Sequence, residues 1–257
     1  MKIINQTPEE IELQQKEEAF QQKKEILAER ELALSTLQAD LHSFEIEYYL
    51  NVGEKYVHID RLQATLDSII ASKMPHDTNA KKRATESNQK AKQSASDAEQ
   101  FKQLNENDDK GKFQATPELK SLYRELAKLL HPDLTLDPDE KARRHRLMQQ
   151  INEAYQAGDL KKLNDIWEAE KNNPENIKGD DIGSSLIRVI RKIAQIEKRI
   201  AELEGNISEL QKTDLYILLE AVQKKNENGI DWLTQMSTEL ASHIVFLQNQ
   251  IDKANKN

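Results

Sequence analysis

Apolar residues recur every seventh position over the first part of the chain, at Leu13, Phe20, Leu27, Leu34, Leu41 and Tyr48. Leu37 and Phe44 add the alternate seam position of the middle heptads, while Lys16, Lys23 or Lys24, and Arg30 leave that position polar in the earlier ones. This pattern predicts a long coiled-coil helix over residues 8–71. Thr7 can cap it, Pro8 can open it, and Glu9 and Glu10 suit its positive end. Gly53 weakens the helix locally before Ile59, Leu62, Leu66 and Ile69 resume the stripe. A second heptad run follows later in the chain, at Leu186, Val189, Ile193, Ile196, Ile200, Leu203, Ile207 and Leu210. Residues 214–225 are apolar enough for a further helix, residues 226–229 read as a turn, and Trp232, Leu233, Met236, Leu240, Ile244, Leu247 and Ile251 line the last helix. Such seams do not stay in water. The expectation is an antiparallel coiled coil between the N-terminal and C-terminal helices, with a parallel homodimer as the main rival.

Between the two heptad regions the pattern changes twice. Residues 72–115 hold Pro75 and a Lys/Ser/Gln/Asn/Ala-rich run with almost no apolar residue before Phe101. They read as a polar linker, part of it helical. Lys81, Lys82, Arg83, Lys90 and Lys92 form a loose basic patch within it, a candidate contact for nucleic acid or an acidic partner; a solvated linker is the favoured reading. Residues 117–157 then present two amphipathic helices. Thr116, Pro117 and Glu118 mark the start of the first. Leu119, Leu122, Leu126, Leu129 and Leu130 form its stripe, with Tyr123 and Ala127 beside them. Pro132 stops it. The second helix starts near Asp137-Pro138 or Asp139, carries Leu147, Met148, Ile151, Ala154 and Tyr155, and stops at Gly158. Two helices joined by so short a loop run antiparallel if their stripes are to meet. A third short helix from Asp159 to about Lys171 offers Leu160, Leu163, Ile166 and Trp167 to the same core. Asn172-Asn173-Pro174 and Lys178-Gly179-Asp180-Asp181 punctuate a linker before the second heptad run.

The stretch YRELAKLLHPD at 123–133, followed by QQINEAY at 149–155, resembles a J-domain, the module of DnaJ-type co-chaperones. A His-Pro-Asp tripeptide by itself is weak evidence. Its placement straight after one amphipathic helix and before a second that ends in INEAY is specific. The resemblance covers residues 116–171. It implies that His131, Pro132 and Asp133 form a loop that docks on a DnaK-type chaperone and stimulates its ATP hydrolysis. It further implies that Tyr123, Arg124 and Lys128, with Lys120 one turn back, line the docking face. The physics is consistent: proline stiffens the loop, an aspartate offers a fixed acceptor to a partner arginine, and basic residues steer an acidic surface. The chain departs from the family where Glu125 and Leu129 replace basic residues and where Leu134 and Thr135 follow the tripeptide. A family member also begins with an earlier helix carrying Tyr-x-x-Leu. The best candidate is Phe101-x-x-Leu104 near 95–105; a truncated domain, or one completed by a helix from elsewhere in the chain, is the alternative.

Composition narrows the function classes. The chain has 257 residues, a formal net charge of −8, 32% charged and 5% aromatic residues, and no cysteine. This is the profile of a helix-rich, elongated protein. Disulfides and thiolate zinc sites are excluded. The acidic balance argues against nucleic acid as the main partner. No stretch is long and apolar enough to span a membrane and the N-terminus MKIINQTPEE lacks a hydrophobic signal core, so a cytoplasmic protein without membrane attachment is expected. The histidines at 42, 58, 76, 131, 145 and 243 show no metal-binding spacing, and no phosphate loop or nucleophile motif is present. No metal, cofactor or catalytic residue is expected.

The expected fold is therefore all-α. Its parts are an N-terminal coiled-coil helix (1–71), a polar linker (72–115), a J-like domain (116–171), a second linker (172–181) and C-terminal coiled-coil helices (182–257). The expected function is co-chaperone action on a DnaK-type partner, with the coiled-coil arms holding a client protein or an assembly. The alternative is a coiled-coil scaffold or adaptor whose J-like domain no longer stimulates.

Overall fold

A computed structural model describes residues 7–105, 113, 115–171 and 182–256. Among these residues all regular structure is helical. The helices are α1 (Pro8–Tyr48), a π-helical turn (Tyr49–Gly53), α2 (Glu54–Lys73), α3 (Thr78–Asn105), α4 (Pro117–Leu130), a 3-10 turn (Pro132–Leu134), α5 (Pro138–Gln156), α6 (Leu160–Glu170), α7 (Ile182–Leu210), α8 (Asp214–Glu227) and α9 (Trp232–Lys256). The expected linker at 172–181, the polar loop after α3 and the side chain of Leu104 lie outside the described residues. The chain divides into two compact units: residues 1–40 with 112–213, and residues 41–111 with 214–257.

In the first unit α1, α4, α5 and α6 begin where their capping residues predict. Thr7 and Glu10 form a reciprocal box: the Thr7 amide donates to Glu10 Oε2 at 2.7 Å and the Glu10 amide to Thr7 Oγ1 at 3.3 Å. Thr116 Oγ1 accepts from the Leu119 amide at 3.2 Å with Pro117 behind it. Asp137 caps α5, which fixes the start at Pro138, and Asp159 caps α6. Gly158 takes φ +66°, the left-handed turn that ends α5 at little cost for glycine. The stripes of α4, α5 and α6 close on one core of Leu119, Tyr123, Leu126, Leu130, Ile151, Tyr155 and Leu163. Ala28 and Leu32 of α1 pack onto the same core, with Phe113.

A second apolar cluster joins α1 to α7. Leu27 meets Ile196 and Leu203, with Phe20, Leu34 and Ile200 around them. The two helices run parallel. Lys23 pairs with Glu197 at 3.0 Å and Arg30 with Glu204 at 3.0 Å, so a step of seven along α1 matches a step of seven along α7. This corrects the antiparallel expectation for these two seams. The pairing is satisfied within one chain. Its direction follows from α4–α6, which return the chain to the starting end of α1 before α7 begins: α4 runs against α1, with Lys128 beside Glu25.

In the second unit the expected linker is instead mostly helix. α3 lies antiparallel to α2, with Lys90 and Ser94 on Asp60 at 2.9 and 2.6 Å, Asn88 on Ser68 at 2.8 Å, and Lys102 on Glu54 at 3.0 Å. Its buried side chains are the small Ala80 and Ala84, which permit close approach without a large apolar stripe. The basic patch is the outer face of this helix, with Lys82 near Glu86 and Lys90 engaged with Asp60. Phe101 packs on Tyr49, ring centroids 4.3 Å apart, so residues 95–105 belong to this unit and do not supply a helix to the α4–α6 core; α1 takes that place. Gly53 closes a π-turn rather than breaking the helix. A Cβ there would meet Tyr49 Cδ2 at 2.8 Å, so glycine lets the Tyr49 ring fold back over the turn. Phe44, Val52, Val222 and Leu233 form the core at that end, and the Lys73 ammonium donates to the Ala254 carbonyl at the other.

Candidate partner-docking site

The His-Pro-Asp tripeptide sits at the end of the α4/α5 hairpin and its geometry is built locally. Pro132 prevents the helix from continuing, yet the His131 amide still donates to the Ala127 carbonyl at 3.1 Å. The chain then makes one 3-10 turn, in which the Leu134 amide donates to the His131 carbonyl at 3.1 Å. The Asp133 amide donates to His131 Nδ1 at 3.1 Å. In the neutral ring that bond leaves the proton on Nε2, which points at Glu31 Oε1, 2.9 Å away. Arg199 donates to the same oxygen through Nε at 3.0 Å and Nη2 at 2.9 Å. Asp133 is held from the other side by Lys141 at 2.9 Å.

The centre of this cluster is buried, while Asp133, Lys141 and Arg199 around it are partly exposed. His131 is 2% exposed and Glu31 4%. Burial alone pushes the Glu31 carboxyl up, but the hydrogen bonds from His131 and Arg199 outweigh it and hold the carboxyl below its ordinary value. Leu134, one of the departures from the family pattern, is buried in the α1–α7 seam beside Leu27, Ile196 and Leu203. An apolar residue at this position is what that seam requires.

The basic residues of α4 lie along one edge, four apart, and face α1. Lys128 pairs with Glu25 of α1 at 3.2 Å and with Glu125 at 2.6 Å. The bond to Glu125 is the largest influence and raises its pKa; burial opposes the rise, and the bond to Glu25 adds to it. Lys120 and Arg124 line a shallow groove with Glu29 and Asp40 of α1. Asp40 is raised by partial burial, and Lys120 works against that rise. Pro132 and Asp133 are half-buried and form part of a larger groove with Lys141, His145 and Arg199.

Tyr123 departs from the expected face. It is fully buried, its ring centroid lies 4.8 Å from that of Tyr155, and its hydroxyl donates to Asn152 Oδ1 at 2.7 Å. It is a core residue that joins α4 to α5. The structure thus brings His131, Pro132 and Asp133 together, sets Lys128, Arg124 and Lys120 along the helix that leads into them, and turns Tyr123 inward.

Sequence reading missed Glu31, Arg199 and Lys141. Glu31 carried a signal. It lies four residues after Leu27 and three before Leu34, on the buried stripe, whereas the heptad reading put Arg30 at that seam. The seam keeps Phe20, Leu27 and Leu34 but takes Glu31 rather than Arg30 as its alternate position, so Arg30 reaches the flank and Glu31 points inward. At the same end of the hairpin, in the first turns of α5, Arg143 and Arg144 hold Glu140 down to about 2, Arg143 being the stronger influence. Arg143 also reaches Glu170 at 2.8 Å, tying α5 to α6.

No family model, curated protein or solved structure matches the chain. Among the described residues no helix is long and apolar enough to cross a membrane, and no cluster of His, Cys, Asp and Glu is arranged to hold a metal ion.

Proposed function

We propose that this chain is a divergent J-domain co-chaperone, acting in the cytoplasm, that docks on a DnaK-type chaperone through His131, Pro132 and Asp133 and stimulates its ATP hydrolysis. The observation that supports this reading most is the His-Pro-Asp turn itself. It caps an amphipathic helical hairpin, its histidine and aspartate are locked by the Asp133 amide and by Lys141, and Lys128 lies on the helix leading into it. A preorganised loop beside a basic helix edge fits an acidic, arginine-bearing partner surface. The remaining helices would hold a client protein or an assembly.

The test is single-turnover ATP hydrolysis by a DnaK-type chaperone with and without this protein, alongside His131→Gln. Glutamine keeps an N–H donor for Glu31, so the variant should stay folded by circular dichroism. Wild-type stimulation that the folded variant loses is the expected result. Equal stimulation by both would sink the proposal.

A coiled-coil scaffold or adaptor is the second reading, and one observation favours it: Leu134 and His131 are built into the helix packing, as structural residues would be. Under that reading His131→Gln is silent in the ATPase assay, and neither protein stimulates.

A further inference from the structure

The docking surface proposed above already has an occupant in this structure. The carboxylates of α1 meet it along its length: Glu25 on Lys128 at 3.2 Å, Glu29 and Asp40 beside Arg124 and Lys120, and Glu31 on His131 at 2.9 Å. The matching is chemical as well as spatial. An acidic helix covers a basic edge, and a buried carboxylate accepts a hydrogen bond from Nε2 of the tripeptide's histidine. α7 reinforces the cover, because Arg199 binds the same Glu31 oxygen and Ile196 and Leu203 clamp Leu27.

We propose that the acidic face of α1 is an intramolecular stand-in for the chaperone, occluding the His-Pro-Asp surface so that the chain is held in a low-activity state until α1 is displaced. The inference rests on the co-chaperone reading and adds its regulation. α1 and the partner compete for the same donors, so only the fraction of molecules with α1 lifted can dock. Apparent affinity falls in proportion to that fraction. Weakening α1 without touching the docking residues should therefore raise activity, which is the reverse of what loss of a structural contact does to an ordinary site.

Two variants test this in the full chain. Glu31→Ala removes the acceptor shared by His131 and Arg199. Glu25→Lys places a cation against Lys128 from an exposed position, with no core side chain altered. Each is compared with wild type for the concentration giving half-maximal stimulation of a DnaK-type ATPase. Accessibility of His131 is followed independently by diethyl pyrocarbonate modification mapped by mass spectrometry, with the exposed His76 as internal reference. The expected result is a half-maximal concentration at least about tenfold lower for Glu31→Ala, since one charge-assisted hydrogen bond of ordinary strength corresponds to about that factor. A smaller shift in the same direction is expected for Glu25→Lys. His131 modification should be faster in Glu31→Ala, and stimulation should vanish when His131→Gln is added. If both variants and wild type stimulate equally, the occlusion is overturned while the co-chaperone reading survives. If His131 becomes reactive in Glu31→Ala and no protein stimulates, the co-chaperone reading fails and the inference with it.

Discussion

Tyr123→Ala is expected to destabilise the first unit by about 3–5 kcal/mol, the usual cost of emptying a buried aromatic site. The ring is fully buried among Leu119, Leu126, Ile151 and Tyr155, and its hydroxyl ties α4 to α5 through Asn152. Tyr123→Phe separates the two contributions. It keeps the ring and loses one hydrogen bond, so about 1 kcal/mol is expected. Urea denaturation followed by tryptophan fluorescence measures both, because Trp167 packs against this core. A loss under about 1 kcal/mol for the alanine variant, well below the range for buried aromatics, would mean that Tyr123 is not a core residue. It would return to the docking face that its place in the sequence implies.

Ile196→Asp is expected to cost at least about 3 kcal/mol, because it puts a carboxylate without a partner into an apolar seam. Ile196 is fully buried against Leu27. Ile187 lies on the same helix but is 54% exposed, so Ile187→Asp should change stability by no more than about 0.5 kcal/mol. Limited proteolysis within 182–210 and the urea midpoint distinguish the two. Equal sensitivity of the two variants would show that α7 does not use this face against α1. If α1 occludes the docking surface, Ile196→Asp also loosens the cover over His131, so a partly folded variant should modify faster at that residue.

Much of the fold was legible in local patterns. Thr7, Thr116, Asp137 and Asp159 marked helix starts because side-chain capping is a short-range effect, and Gly158 marked a stop for the same reason. The α4–α6 core was readable from leucine spacing. α3 was harder to see because its buried face is alanine and its other contacts to α2 are polar; neither yields an apolar stripe, although alanines at 80, 84, 91 and 95 keep a helical spacing. The direction of the α1–α7 pairing was not readable at all. A heptad seam is symmetric with respect to direction, and only the path of the intervening helices settles it. In the candidate site the tripeptide and the basic edge could be named from sequence. The burial of His131 could not, since its partner Glu31 and the Arg199 that shares that oxygen lie about 100 residues before and 70 residues after it.

Amide hydrogen exchange of the full chain, with and without an ATP-bound DnaK-type chaperone, tests the central claim most directly because it locates the contact. The expected result is new protection over residues 120–134 together with faster exchange in α1 around residues 25–31, as the partner takes the surface that α1 leaves. Protection confined to the second unit, or no change at 120–134 while a complex forms, would contradict the assignment of the docking site to the His-Pro-Asp loop.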